Sequence, residues 1–377
     1  MKILFTGGGS GGHFYPIIAV AEALNDMTRE RKILEPRLYY AAPDPYDKEV
    51  LLANNITFVS TSAGKRRNYF SILNFFDLFK TFWGILRAVF RIFFLYPDVV
   101  FGTGGYASFP TLLAARLFRI PVVIYATDAI PSRVNLWAGK FAEKVAISFP
   151  EAAEFFPKDR TAYTGNPIRK SAMIPAREGA HEFLKLKREF PIILVLGGSQ
   201  GSETINDCVI DALPRLLQKY QVVHQTGQKN ITEVEGRVKI VLGNNFELAE
   251  RYKAFAYLND VALRMAAGGA TLVISRAGSG SIFEIASWGL PSILIPIPNE
   301  VSRDQIKNAF AFARAGATSV VEQNNLTPGL LTSEVDRILG NPELARGMGE
   351  KARTFARPDA AKLIANALLD IALSHEK

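Results

Sequence analysis

The chain has 377 residues, of which 48% are hydrophobic, and this is enough for two compact domains. A net charge of +8 favours an anionic partner such as a phosphorylated ligand, acidic lipid or nucleic acid, while a single cysteine, Cys208, excludes an intramolecular disulfide and a Cys-rich zinc site. No signal-peptide pattern precedes the first apolar run and no run nears the ~18 residues of a spanning helix, so the sequence predicts a soluble cytoplasmic protein.

Short apolar runs alternate with helical patterns along the first half of the chain. Strands are predicted for KILFT, PRLYYAA, ITFVST, PDVVFGTGG, PVVIYATD, KVAISF and TAYTG. Helices are predicted between them for IIAVAEALNDM and TLLAARLF. Strands that alternate with helices indicate a parallel sheet covered by helices on both faces.

The alternation restarts after the polar segment that follows TGNPIRK. Further strands are predicted for PIILVLGGSQGS, YQVVHQTG, VKIVLG, FAYL, ATLVISRAG, PSILIPIP and ATSVVE, and the tail is predicted to be helical with a break at Pro358. The sequence therefore predicts an α/β protein with two Rossmann-like domains that divide near residues 165–190. One doubly wound domain with additions is the alternative.

A glycine-rich loop follows the first predicted strand of each half. Gly7-x-Gly9-x-x-Gly12 fits the dinucleotide fingerprint, but the second strand ends without the acidic residue that would bind a ribose, so a nicotinamide cofactor is disfavoured. Glycines let backbone N–H groups approach an oxyanion at a helix N-terminus. Residues 197–201 have the same chemistry, so the two loops indicate phosphate binding in both halves, with tight β–α turns as the alternative.

The segment SRAGSGSIFEIASWGLPSILIPIP follows another predicted strand. It places Ser279, Gly280 and Ser281 ahead of a helix and Glu284 three residues later. Small residues there suit diphosphate oxygens, and a carboxylate suits hydrogen bonds from a ribose diol. Because Ser281 and Glu284 also have the spacing of a capping box, a capped helix without a ligand is the alternative, and both can hold together.

Residues 65–96 read KRRNYFSILNFFDLFKTFWGILRAVFRIFFLY, with six basic residues against one acidic residue. A basic, aromatic-rich amphipathic helix whose apolar runs are interrupted by charge is typical of binding to an anionic membrane surface. A helix that faces a core is the alternative, and nucleic acid is disfavoured because no recognised module is present. The predicted membrane contacts are Phe75, Phe79, Phe82, Trp83, Arg87 and Phe90.

Six motifs occur in an order that resembles the MurG family of glycosyltransferases (glycosyltransferase family 28): GGGSGGH, FGTGGYASFP, TGNPIRK, GGSQGS, SRAGSGSIFEIASWGLPSILIP and RDQIKNA. The resemblance covers essentially the whole chain. It implies the GT-B fold, in which two Rossmann-like domains with parallel sheets face each other across a cleft. It also implies transfer of GlcNAc from UDP-GlcNAc to undecaprenyl-diphosphate-linked N-acetylmuramyl-pentapeptide, with inversion and with no obligatory protein-bound metal or other cofactor.

The resemblance further implies an organisation and a location. Residues 1–165 would form an acceptor- and membrane-binding domain, residues 166–345 a UDP-sugar-binding domain, and residues 346–377 helices that pack back on the N-terminal domain. The implied partners are UDP-GlcNAc, the polyprenyl-diphosphate-linked muramyl peptide and an anionic membrane surface, without nucleic acid. The implied location is peripheral, on the cytoplasmic side of the cell membrane.

Individual roles also follow from the resemblance. His13 is similar to the family's candidate general base, and an imidazole suits removal of a hydroxyl proton near neutral pH; a helix residue with a satisfied ring is the alternative. Arg303 and Asn308 belong to a patch near the sugar or are only surface or helix-cap residues. The other positions implied to contact the acceptor diphosphate or the donor are Ser10, Gly11, Gly12, Asp128, Arg169, Ser199, Leu258, Ser279, Gly280, Ser281, Ile282, Phe283, Glu284 and Gln305.

Among these, Ser10 to Gly12 resemble the loop near the reacting sugar and the acceptor diphosphate. Leu258 falls where the family packs an apolar residue against uracil. Residues 279–284 fall on the diphosphate and ribose segment, and Gln305 matches a glutamine that reads the sugar hydroxyls.

One segment departs from the family. Where the family usually has His-Glu-Gln-Asn, this chain has Tyr125, Ala126, Thr127 and Asp128. A carboxylate beside a diphosphate weakens binding unless it is paired or protonated. The departure therefore leaves open a related transferase with another lipid acceptor such as diacylglycerol, a GT-B-like UDP-GlcNAc epimerase, and a catalytically weakened nucleotide-sugar-binding or scaffold protein at the membrane.

Overall fold

A computed structural model describes residues 1–62, 73–198, 200–302 and 304–374, with the side chains of residues 73–81 left aside. The chain divides into two compact units. The first comprises Met1–Arg169 together with Pro358–Lys377, and the second comprises Lys170–Arg357.

Parallel strands form the centre of the first unit. Its helices α1 to α5 are Gly11–Glu30, Lys48–Ala53, Leu73–Leu95, Phe109–Leu117 and Arg133–Ala138. Its strands β1 to β7 are Lys2–Thr6, Arg37–Ala42, Ile56–Ser60, Val99–Gly102, Val122–Ala126, Lys144–Ile147 and Thr161–Tyr163. The described residues pair in the order β3-β2-β1-β4-β5-β6-β7, all parallel. Every residue of β4 and β5 is buried, as expected for strands covered on both faces.

The second unit repeats the same winding. Its helices α6 to α15 are Lys170–Met173, Ala180–Leu184, Glu203–Leu216, Ile231–Leu242, Phe246–Glu250, Asp260–Gly269, Ser279–Trp288, Gln305–Arg314, Pro328–Leu339 and Pro342–Phe355. Its strands β8 to β13 are Ile192–Leu196, Gln221–Gln225, Tyr252–Phe255, Ala270–Ser275, Ser292–Leu294 and Thr318–Val320. They pair in parallel in the order β10-β9-β8-β11-β12-β13. The predicted α/β class with two parallel sheets is therefore confirmed.

Strand order reverses at one point in each sheet, between β1 and β4 and between β8 and β11. Loops that leave neighbouring strands on either side of such a reversal diverge, which opens a crevice at the carboxyl ends where ligands bind. The sequence places a glycine-rich segment at each of these points.

One predicted strand is wrong, and a second, FAYL (residues 255–258), overlaps β10 only at Phe255. The run VKIVLG lies at the end of helix α9 and is not a strand. Val234, Val238 and Leu242 are buried, whereas Ile240 is 81% exposed. Burial at every fourth residue is close to the helical period, so these residues form the buried face of an amphipathic helix. The short apolar run at its end resembled a strand in the sequence.

The final helix, α16 (Ala360–Ser374), packs against α1 in the first unit, where Ile364 and Leu368 join the core that contains Ile17. Helix α15 stays in the second unit, and the ring of Phe355 lies 5.2 Å from that of Phe283. The predicted boundary at residue 346 is therefore too early, because α15 buries its apolar face against α12 before the chain crosses at Arg357.

Candidate active site

The loop after β1 approaches the loop after β4 very closely. A Cβ atom on Gly7 would lie 2.0 Å from Thr103 Oγ1, so this contact requires glycine. Gly9 has a positive φ of 89°, which glycine adopts without strain. Ser10 is the N-cap of α1, and among the described residues its side chain makes no capping hydrogen bond. The first turn reads GGHF, so no acidic side chain offsets the positive potential of the helix N-terminus.

His13 is fixed by the same contact. Its Nδ1 lies 3.0 Å from the carbonyl oxygen of Thr103, and Thr103 Oγ1 donates to the backbone oxygen of His13 at 2.8 Å. Because a carbonyl oxygen only accepts, Nδ1 carries the proton and Nε2 holds the lone pair. Burial lowers the pKa of His13, while the charge of Asp128 and the bond to Thr103 oppose that shift. The ring is therefore neutral near pH 7, with one basic nitrogen.

The segment Tyr125–Asp128, which departs from the family, affects this site through Asp128. Tyr125 is fully buried in β5, and its hydroxyl is hydrogen-bonded to Ser148. Thr127 Oγ1 donates to Asp128 Oδ2 at 2.6 Å, and Asp128 is half-buried. The Asp128 charge raises the pKa of His13, so this carboxylate acts electrostatically on the imidazole. Tyr125 is a core residue, and its difference from the family does not alter the site directly.

The loop after β4 supplies residues that the sequence analysis quoted in a motif without assigning. Gly104 and Gly105 have positive φ values of 89° and 78°. A Cβ on Gly105 would lie 3.2 Å from Cδ2 of His13, and a Cβ on Gly104 would lie 2.6 Å from Oδ1 of Asn135. Asn135 is 1% exposed and donates to the carbonyl oxygen of Tyr125 at 3.1 Å. The glycine pair at the end of the predicted strand PDVVFGTGG was the signal for this second wall of the site.

Arg169 lies beside the same helix. It is 8% exposed, and its guanidinium carbon lies 4.0 Å from the ring centroid of Tyr15, two residues after His13. Such a geometry is a cation–π contact that holds the guanidinium in place. The resemblance implied that Arg169 contacts the donor, and the structure places this residue within the first unit.

In the second unit, the loop after β8 is held by its neighbours. Gly198 has a φ of 91°, and its carbonyl oxygen accepts a hydrogen bond from Gln225. Leu258, the candidate uracil contact, is 2% exposed and its backbone N–H donates to the same glutamine. Ser199 lies outside the described residues.

Residues 279–281, the candidate diphosphate contacts, are already helical, whereas the sequence predicted that they precede the helix. Helix α12 begins at Ser279 with Gly278 as its N-cap in an extended conformation. Ser281 is therefore inside the first turn, and the predicted capping box with Glu284 is wrong because Gly278 takes the capping position. Ile282 and Phe283 are fully buried, so only their backbone groups can contact a ligand.

Two polar side chains of α13 also reach this region. Gln305, its first residue, accepts a hydrogen bond from the backbone N–H of Ile297 at 3.2 Å. Asn308 is fully buried and donates to the carbonyl oxygen of Ala277 at 3.4 Å, so it is not a surface residue. Arg303 lies outside the described residues.

Arg276 is a further candidate that the sequence analysis did not single out. It follows β11 at the strand reversal, donates to Ser202 Oγ at 2.6 Å and donates to the carbonyl oxygen of Ile295 at 3.1 Å. No carboxylate in the described part of the chain pairs with it. Burial lowers the pKa of Arg276 to about 10, which still leaves it cationic at neutral pH. A positive charge with neutral partners at this point suits an anionic ligand.

Helix α3 presents large apolar side chains to solvent. Phe82, Trp83 and Phe90 are 60%, 56% and 65% exposed, and Arg87 lies over the Trp83 ring at 5.8 Å. The predicted contacts Phe75 and Phe79 lie outside the described side chains. Among the helices of the described residues, none is long and apolar enough to cross a bilayer.

Metal ligands are a separate question. Within the described ranges, no group of three or more His, Cys, Asp or Glu side chains is arranged to hold a metal ion.

The comparisons with known proteins cover both units. The glycosyltransferase family 28 N-terminal domain model matches residues 3–147, and the C-terminal domain model matches residues 192–364. A Bacillus thuringiensis protein named UDP-N-acetylglucosamine–N-acetylmuramyl-(pentapeptide) pyrophosphoryl-undecaprenol N-acetylglucosamine transferase 3 is 36% identical over 91% of this chain and 92% of its own length. The Treponema denticola transferase of that type is 33% identical over 95% and 93%.

Solved structures agree. The crystal structure of MurG from Acinetobacter baumannii superposes with a TM-score of 0.73 at 25% identity and covers 98% of this chain and 99% of that one. A Neisseria meningitidis UDP-GlcNAc 2-epimerase has a TM-score of 0.66 at 16% identity over 98% of this chain and 100% of that one, which shows only a shared fold. The predicted GT-B class is confirmed, and the chain belongs to glycosyltransferase family 28.

Proposed function

We propose that this chain is an inverting glycosyltransferase that moves GlcNAc from UDP-GlcNAc to undecaprenyl-diphosphate-linked N-acetylmuramyl-pentapeptide. The observation that carries the proposal is the fixed imidazole of His13, whose Nδ1–H is held by the Thr103 carbonyl so that Nε2 remains basic. The curated relatives, similar over nine-tenths of the chain, carry the name of this reaction.

His13 serves as general base in this proposal. As the acceptor hydroxyl oxygen bonds to the anomeric carbon of GlcNAc, its proton passes to Nε2 of His13. The bond from that carbon to the UDP oxygen breaks, and UDP leaves with the electron pair. Attack from the face opposite the leaving group gives inversion. Ser10, Gly11 and Gly12 contribute the helix N-terminus that binds the acceptor diphosphate.

The donor is assigned to the second unit. The backbone N–H groups of residues 279–281 at the start of α12 suit the UDP diphosphate, and the charge of Arg276 supports it. Glu284, one turn further, accepts hydrogen bonds from the ribose hydroxyls. Gln305 reads the sugar hydroxyls and Leu258 lies at the uracil. The division into an acceptor domain and a UDP-sugar domain follows from these assignments.

The same proposal puts the enzyme peripherally at the cytoplasmic face of the cell membrane. The exposed aromatic side chains of α3 would enter the headgroup region, and its arginines would face anionic lipid. This keeps the acceptor's lipid tail in the bilayer while its diphosphate reaches the first unit.

The reaction itself is tested by UDP release from UDP-GlcNAc, with and without lipid-linked muramyl-pentapeptide. We expect release only when that acceptor is present. Release that instead requires diacylglycerol, or conversion of UDP-GlcNAc to its epimer without an acceptor, would overturn the proposal.

Asp128→Asn should move the acid limb of the kcat–pH profile to lower pH. General-base catalysis needs neutral imidazole, so kcat rises as pH rises through the pKa of His13. Asp128 raises that pKa by stabilising the imidazolium, and the neutral amide removes this effect. The profile is compared with that of Asp159→Asn, an exposed carboxylate in the same unit. An unmoved limb, or one that moves to higher pH, contradicts the assignment.

Phe90→Ser should weaken binding to vesicles that contain anionic phospholipid by about tenfold or more, because an inserted phenylalanine contributes about 1.5–3 kcal/mol. Leu52→Ser is the matched control, since Leu52 is 75% exposed on α2 and Phe90 is 65% exposed on α3. Co-sedimentation with the vesicles measures both variants. Equal binding by both would remove α3 as the membrane contact.

A further inference from the structure

Gln225 lies at the carboxyl edge of the second sheet, one strand in from the outermost strand β10. It is the last residue of β9, which lies between β8 and β10. It pairs in register with Leu196, the last residue of β8, and with Phe255, the last residue of β10. The two loops that leave those flanking strands carry the candidate phosphate and uracil contacts.

The side chain of Gln225 joins these two loops directly. Its Nε2 donates to the carbonyl oxygen of Gly198 at 2.9 Å, and its Oε1 accepts from the backbone N–H of Leu258 at 2.9 Å. A carbonyl only accepts and a backbone N–H only donates, so these partners fix the orientation of the amide. The residue is 6% exposed, which shields both bonds from competition with water.

Backbone contacts tie the intervening loop to the same two neighbours. Thr226 N–H donates to the carbonyl oxygen of Phe255 at 2.9 Å, and Gly227 N–H donates to that of Ala256 at 3.1 Å. A Cβ on Gly201 would lie 1.9 Å from the carbonyl oxygen of Thr226, so the loop after β8 packs against the loop after β9 without space between them. The side chain of Gln225 therefore completes a set of contacts that joins the loops after β8, β9 and β10.

We propose that Gln225 is a positioning residue that sets the separation between the phosphate-binding loop and the base-binding loop of the nucleotide site. The inference rests on the proposed donor site in the second unit, and it adds to that site the phosphate contact that the glycine-rich sequence of residues 197–201 indicates. It predicts that loss of the Gln225 side chain weakens the affinity for a ligand that contacts both loops. The affinity for a ligand that contacts only one of the loops should change little.

The test compares the affinities of purified full-length variants for UDP, which uses both loops, and for uridine, which uses only the base-binding loop, by calorimetry. Gln225→Met keeps the side-chain length and removes both hydrogen bonds. We expect it to weaken UDP binding by about tenfold, as for loss of one or two buried hydrogen bonds, and uridine binding by less than about twofold. Gln225→Glu keeps an acceptor for Leu258 but turns a carboxylate oxygen towards Gly198 O, so it should show the same selective loss.

Gln221→Met is the matched control. Gln221 is the first residue of the same strand, is 1% exposed and also bridges backbone groups, since its Nε2 donates to the carbonyl oxygens of Lys187 and Phe190. It lies at the opposite edge of the sheet, so its loss should lower the melting temperature as Gln225→Met does but leave UDP affinity unchanged.

Three outcomes separate the inference from the function on which it rests. UDP affinity equal in the Gln225→Met and Gln221→Met proteins, or equal losses for UDP and uridine, overturns the role of Gln225 while leaving the donor site intact. A wild-type protein that binds neither UDP nor UDP-GlcNAc overturns the donor site itself. If Gln225→Met does not fold, Gln225→Glu decides between these outcomes by the same ratio.

Discussion

His13→Ala is expected to lower kcat by about 10²–10⁴-fold while the affinity for UDP-GlcNAc stays within about twofold of wild type. The loss follows from removing an imidazole that the loops after β1 and β4 hold with its Nε2 basic. The donor is assigned to the other unit, so its binding does not depend on the ring. Steady-state kinetics with lipid-linked acceptor, together with calorimetry for UDP-GlcNAc, measure both quantities.

Two further variants make this result specific. His13→Gln keeps a hydrogen-bonding side chain but cannot accept the proton, so it should be about as slow as the alanine variant. His181→Ala changes a histidine of α7 in the second unit, outside the loops after β1 and β4 that hold His13, and should leave kcat unchanged. An unchanged kcat in His13→Ala would remove His13 as the base, and a fall in donor affinity of the same size would make it a binding residue.

The sequence predicted the sheets well because parallel strands covered on both faces must be apolar throughout. The runs that became β4, β5 and β8 are buried at every position, and each is visible as a short apolar block between turn residues. VKIVLG failed for the opposite reason. Its apolar residues Ile240 and Val241 are exposed on a helix, and composition alone does not distinguish that pattern from a strand.

The sequence could locate the loops of the candidate site, but it could not identify which side chains interact with one another there. Glycine loops after the first strands mark the two crevices, and His13 stands out as the histidine beside one of them. The role of Gln225 depends on β8 and β10, which lie on either side of it only after folding. The effect of Asp128 on His13 likewise depends on β1 and β5, which lie on either side of β4 only after folding, although the sequence did show that Asp128 departs from the family.

Gly7→Ala is expected to reduce kcat by about 100-fold, and also to lower the free energy of unfolding by about 1–3 kcal/mol. The new Cβ would lie 2.0 Å from Thr103 Oγ1, and Thr103 is fully buried, so the loop after β4 must shift. That shift moves the carbonyl that holds Nδ1 of His13 and misplaces the base. Gly236→Ala is the control, because its Cβ meets nothing within 4 Å and it lies within helix α9.

The double variant Gly7→Ala with Thr103→Ala tests whether the collision causes the loss. Removing Oγ1 makes room for the new methyl group while keeping the backbone carbonyl that binds His13. We therefore expect the double variant to be more active than Gly7→Ala, even though Thr103→Ala alone loses the hydrogen bond to the His13 carbonyl. Such non-additivity is the signature of two groups in direct contact. Purely additive losses would mean that the spacing of the two loops does not control the position of the base.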